Sequence, residues 1–80
     1  MRYVIAVEQL SSGDEYVLGG FDAYRPNSHA LCQELIIKAV HKIARNSYGP
    51  PLSKKAVFEE CVAYSASYGI KHSVVEVEIV

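Results

Sequence analysis

Among the residues able to do chemistry, two imidazoles and two thiols come first: His29, Cys32, Cys61 and His72. Their side-chain types suit a tetrahedral zinc site, which takes thiolate and imidazole ligands. Their spacing does not. His29 and Cys32 are one helical turn apart, whereas Cys61 and His72 belong to no short-spaced ligand pair of the kind zinc modules use. Buried thiols and a helix-start histidine explain the same residues, so no metal and no cofactor are expected. A cysteine nucleophile would need a base and a group to orient it. His29, His41 and His72 are available, but no local pattern singles one out. Gly13, Gly19 and Gly20 match neither the dinucleotide-binding nor the P-loop pattern. The chain is therefore read as non-enzymatic.

Lys54 and Lys55 fall in the first turn of an expected helix, where the helix dipole disfavours positive charge. With Arg25, Lys38, Lys42 and Arg45 they would form a basic patch for phosphate or an acidic partner. Spread over two helices, the same charges are also ordinary solubilising residues. The net charge of −1 and the pI near 6.3 supply no overall field that draws the chain to nucleic acid or to an anionic membrane. A nucleic-acid-binding regulator using Arg25, Lys54 and Lys55 is kept as the alternative reading.

Length and composition narrow the class. With 80 residues there is room for one domain, spanning 1–80, and 50% hydrophobic against 21% charged residues is a globular rather than a disordered balance. No stretch reaches the length of a membrane span, and Glu8 and Gln9 interrupt the only apolar run near the N-terminus. Cytoplasmic placement with two reduced thiols is the expectation.

The elements that position these residues follow from periodicity. Arg2 to Gln9 and Glu15 to Phe21 are β-branched and aromatic runs around the turn chemistry of Ser11-Ser12-Gly13-Asp14, which makes a hairpin. Gly19-Gly20 suggests a bulge or a close backbone approach. Asn27 or Ser28 starts a helix running to about Asn46, with Cys32, Leu35, Ile36, Ala39, Val40 and Ile43 as its apolar stripe. Gly49-Pro50-Pro51 stops the chain. Ser53 caps a second helix, with Leu52 and Val57 at hydrophobic-staple spacing and Val57, Cys61, Tyr64 and Tyr68 as its stripe; Gly69 ends it. Ile70 to Val80 alternates as a third strand. The fold class is α+β in the order ββααβ: a three-stranded, mainly antiparallel sheet with an antiparallel helix pair packed on one face.

A hairpin register pairing Val7 with Leu18 and Ile5 with Gly20 sorts the strands into two faces. Tyr3, Ile5, Val7, Tyr16 and Leu18 form one face, matched to the helices. Val4, Ala6, Val17, Phe21 and Val74 lie on the other, beside acidic residues. If the helices cover only the first, the second is a contiguous uncovered apolar surface and marks an interaction site. A bulge at Gly19-Gly20 would exchange residues between faces, since one slipped residue reverses the alternation. At the end of the chain, VVEVEIV offers a sheet edge to another strand, or Glu76 and Glu78 guard that edge. Tyr24 and Tyr48, in connectors, are contact residues or aromatics folded over the edge of the core.

These observations lead to a small non-catalytic protein-binding module, homodimeric or docked on a protein partner, with Val4, Ala6, Val17, Phe21, Val74 and Tyr24 at the contact. Small inhibitors and regulators that occlude a larger protein, including those made by bacteriophages, share this size and composition; that is an analogy of type, resting on no motif.

Overall fold

The computed structural model describes residues 1–44 and 53–79, with side chains for 1–42 and 53–79. Arg45, Asn46, Tyr48, the Gly49-Pro50-Pro51 stop and Leu52 lie outside the described residues, as does the side chain of Ile43. The elements are β1 (Arg2–Gln9), β2 (Glu15–Asp22), α1 (Ser28–Ala44), α2 (Lys54–Ala66) and β3 (Lys71–Glu78). The sheet is antiparallel in the order β2-β1-β3, and both helices pack on one face of it.

Local chemistry accounts for the ends of these elements. In the β1–β2 turn, Leu10 N–H bonds to the Asp14 carbonyl at 2.9 Å and Gly13 stands at φ 96, a backbone conformation natural to glycine. Asp22 turns the chain out of β2, its Oδ1 accepting from Tyr24 N–H at 2.9 Å. Asn27, at φ 64, gives its carbonyl to Leu31 N–H and so precedes α1. Ser53 caps α2, its Oγ accepting from Ala56 N–H at 3.2 Å.

The far end of α2 closes with Gly69 N–H on the Ala66 carbonyl and Ile70 N–H on the Ser65 carbonyl, each at 3.0 Å, the bond pair of a Schellman motif. Gly69 has φ 80, and a Cβ there would stand 3.2 Å from Ser11 Cβ. Gly69→Ala is expected to lower stability by about 1–2 kcal/mol through left-handed strain, read as a drop in thermal midpoint; an unchanged midpoint contradicts the motif.

The core joins Val4 and Ala6 of β1, Cys32, Ile36 and Val40 of α1, and Cys61 of α2, all without exposed surface. Leu18, Phe21, Leu35, Val57, Phe58 and Val74 pack around it. The expected α1 stripe is the buried one. On α2 the stripe holds at Val57, Cys61 and Tyr64 but not at Tyr68, which is exposed and lies with its ring centroid 5.2 Å from that of Tyr64.

The assignment of faces is reversed from the expectation. Val4 pairs with Phe21 and Ala6 with Gly19, as the hairpin register predicts, but this is the side beneath the helices. The physical reason is approach distance. Gly19 and Ala6 are small enough to let α1 settle onto the strands: a Cβ at Gly19 would stand 2.7 Å from Leu35 Cδ1. A bulge between the Ala6–Gly19 and Val7–Val17 pairs leaves Leu18 as the extra residue, packed toward the core, and shifts Val17 to the opposite face.

Candidate functional site

The uncovered face is built by the odd-numbered residues of β1. Register sets Tyr3 between Asp22 and Val77, Ile5 between Gly20 and Val75, Val7 between Val17 and Ser73, and Gln9 between Glu15 and Lys71. Alternation puts these side chains on one surface, and a Cβ at Gly20 would meet Ile5 Cγ2 at 2.8 Å, which places Gly20 on the same side as Ile5. Met1 and Ile79 extend the ladder by one row, exchanging Ile79 N–H to the Met1 carbonyl at 2.8 Å and the Met1 amino group to the Ile79 carbonyl at 3.0 Å. Val17, Val75, Ile79 and Met1 are exposed, and Tyr3, Ile5, Val7 and Val77 are half-buried. The result is a contiguous apolar surface, polar only along the row Glu15–Gln9–Lys71 and at Asp22 and Ser73.

The residues expected at the contact are distributed differently. Val4 and Ala6 have no exposed surface and are core residues. Phe21 and Val74 are half-buried against that core, and Arg25 stacks over the Phe21 ring at 5.4 Å. Val17 is on the open face and Tyr24 is 85% exposed in the connector beyond β2. The correction for Val4, Ala6, Phe21 and Val74 has one cause: the face they share is the face the helices cover.

Two of the basic residues have contacts within the fold. Lys54 Nζ pairs with Glu34 Oε1 at 3.1 Å, which answers the unfavourable charge in the first turn of α2, and Arg25 is occupied by Phe21. Lys55 is exposed. Glu76 is held by Arg2 at 3.0 Å and by His29 at 3.6 Å.

A second arrangement is buried between α2 and the sheet. His72, whose side chain has no exposed surface, has Nδ1 2.8 Å from Ser65 Oγ and Nε2 3.0 Å from Glu8 Oε2. Glu8 and His72 are cross-strand partners, and Ser65 lies one turn after Cys61 on the buried side of α2. As a carboxylate Glu8 accepts from Nε2–H, which leaves Nδ1 of a neutral ring to accept the Ser65 O–H. In a charged ring Nδ1–H donates to Ser65 Oγ, and the hydroxyl turns to the Val62 carbonyl at 3.1 Å. Both protonation states are satisfied in place. The order serine, histidine, acid suggests nucleophilic catalysis, but Ser65 is 2% exposed and the cavity touching it holds about 10 Å³. Little space adjoins the Ser65 hydroxyl, while His72 also lines the larger groove beside β3; the chain of bonds ties α2 to β1 and β3.

The other proposed chemistry is dispersed. Cys32 donates its thiol to the Val4 carbonyl at 3.3 Å, and burial pushes that thiol's pKa up, away from a reactive thiolate. His29 contacts Glu76 and His72 its own network, so the four suggested zinc ligands do not converge; among the described residues no group of three or more metal-binding side chains is found. A groove of about 540 Å³ runs beside β3, lined by His29, Gln33, Phe58, Val62, His72 and Val74, among others. Among the described residues no helix is long and apolar enough to cross a membrane.

No protein-family model, curated protein or solved structure matches this chain.

With no relative to supply a role, the site is defined by geometry alone. Sequence reasoning missed the Ser65–His72–Glu8 chain. Its signals were present in the i, i+4 spacing of Cys61 and Ser65 and in the Glu8–His72 pairing, but the pairing exists only once β3 is aligned against β1.

Proposed function

We propose that this protein is a non-catalytic protein-binding module whose contact surface is the open face of the sheet, and that it acts as a regulator or inhibitor by covering a surface on another protein chain. One observation carries the reading: Met1, Tyr3, Ile5, Val7, Val17, Val75, Val77 and Ile79 make one apolar surface on the side of the sheet opposite both helices, α1 and α2. An apolar sheet face left in water is unfavourable in proportion to its area, and association removes that cost. The Ser65–His72–Glu8 chain is compatible with this reading, because it ties α2 to the sheet with Ser65 2% exposed.

The test is a Val17→Asp/Val75→Asp variant. Both positions are exposed, so the fold is expected to survive, with thermal midpoint and circular dichroism close to wild type. Chains that bind the wild type, copies of itself included, should lose at least tenfold in affinity for the variant, because a charge would be buried in each contact without a partner. Equal binding by a folded variant would move the contact surface elsewhere.

A further inference from the structure

The open face has a pattern that says what fits it. Along β1 it is apolar at the Met1–Ile79 end and charged at the Gln9 end, where Glu15 and Lys71 flank Gln9 on opposite sides. Both charged residues are exposed, and neither takes part in an ion pair among the described residues. A surface with opposite charges at mirror positions about its middle strand is complementary to itself in one orientation. Turn a second copy over about a two-fold axis lying along β1, between the sheets, and β2 of one copy lies above β3 of the other. Glu15 then meets the Lys71 of a second copy, and Lys71 meets its Glu15, at two symmetric places.

Small also meets large in that arrangement: Gly20 opposes Val75, and Val17 opposes Ser73. Asp22 lies at the rim opposite Val77, its carboxylate already accepting from Tyr24 N–H. The other two-fold orientation, with the axis across the strands, sets Glu15 near Asp22 and the apolar Met1–Tyr3 end against Gln9 and Lys71. It joins like charges and mismatches the polarity along the strands. We infer that the occupant of the open face is a second copy of this chain, stacked face to face about an axis along β1, with reciprocal Glu15–Lys71 pairs. This rests on the open face being a contact surface, as proposed above.

The dimensions are compatible. Packed sheets stand ~10 Å apart, which a glutamate and a lysine side chain span together. Three strands of eight to nine residues present roughly 400 Å² of flat face per copy, about 800 Å² in all, the size of a weak, transient contact rather than a stable interface. That size predicts a dimer that dissociates in the micromolar range rather than below it.

The experiment is sedimentation or light scattering of the full chain across concentrations of about 5–500 μM, a span bracketing such an equilibrium. Wild type should pass from monomer to dimer. Glu15→Lys and Lys71→Glu should each weaken dimerisation by about tenfold, since each change turns two attractions into two repulsions. The double variant Glu15→Lys/Lys71→Glu should recover wild-type affinity, and added salt should narrow all the differences. Val17→Asp/Val75→Asp, run alongside, separates the two ideas. Loss of the dimer in that variant without charge-swap rescue keeps the face and overturns the orientation. A dimer untouched by it overturns both. A wild type that stays monomeric throughout overturns self-pairing, and leaves the open face to be judged by its other partners.

Discussion

Ala6→Asp should fail to fold, while Val17→Asp should fold normally. Both substitutions put a carboxylate on a strand of the same hairpin, and sequence alternation alone placed both residues on one side. The structure separates them: Ala6 has no exposed surface and lies among Val4, Cys32, Ile36 and Cys61, whereas Val17 is 63% exposed on the opposite face. An unpaired carboxylate in such a core costs several kcal/mol, a large part of the ~5–15 kcal/mol by which a domain is stable. The residues packed around Ala6 are apolar and offer it no hydrogen-bonding partner. Circular dichroism and a thermal melt decide the matter. A cooperative melt near the wild-type midpoint for Ala6→Asp would mean that the helices lie on the other side of the sheet, and the contact surface would have to be redrawn.

His72→Phe should be the most damaging change outside the apolar core. The ring would fill similar space, but Glu8 and Ser65 would both lose their partner. A buried polar group left without a hydrogen bond costs ~1–3 kcal/mol. Glu8 is 20% exposed at its side chain and reaches some water, and Ser65 retains the Val62 carbonyl at 3.1 Å, so the sum falls toward ~2–4 kcal/mol. For a chain of this size that is a drop in thermal midpoint of ~10–25 °C. Ser65→Ala removes one bond and should cost about 1 kcal/mol; Glu8→Gln keeps an acceptor for Nε2–H while losing the charge, and should cost a similar amount. The ranking is the test. If His72→Phe is no worse than Ser65→Ala, the three residues do not act as one tie between α2 and the sheet.

That tie also bears on the proposed function. Among the described residues no layer covers the second face of the sheet, so its strands are held from one side. Here α2 touches the sheet chiefly through β3, and the Ser65–His72–Glu8 chain secures it to both β3 and β1. The sheet can then present its other face without depending on a partner to keep its own helices in place.

Several features were readable before any coordinates. Ser53 as a cap and Gly69 just past the end of α2 follow from local bonding rules, and both hold. The buried stripe Cys32–Ile36–Val40 follows from a period near 3.6, because only one side of α1 is apolar enough to bury. Hairpin pairing of Val4 with Phe21, Ile5 with Gly20 and Ala6 with Gly19 also holds, but the expected Val7–Leu18 pair does not: Val7 faces Val17, and the bulge at Leu18 takes up the one-residue slip at the turn. Each of these depends on residues a few positions apart, whose geometry the backbone itself dictates.

The helix-bearing face of the sheet was not of that kind. In β1 the run Tyr3-Val4-Ile5-Ala6-Val7 is apolar on both sides, so alternation divides the residues correctly but gives no sign of which half is covered. Bulk suggests Ile5 and Val7 for the core; helix approach selects Ala6 and Gly19 instead, because α1 can come close only where side chains are small. The bulge at Leu18 and the meeting of Glu8, His72 and Ser65 likewise depend on three elements arriving together. Sequence by itself therefore determined the elements, their order and the two sets of β1 residues, since those are local and periodic; the bulge in β2 moved Val17 and Leu18 between sets. Only tertiary structure decided which set faces water, because that choice is made by the fit between layers, a property no single element carries.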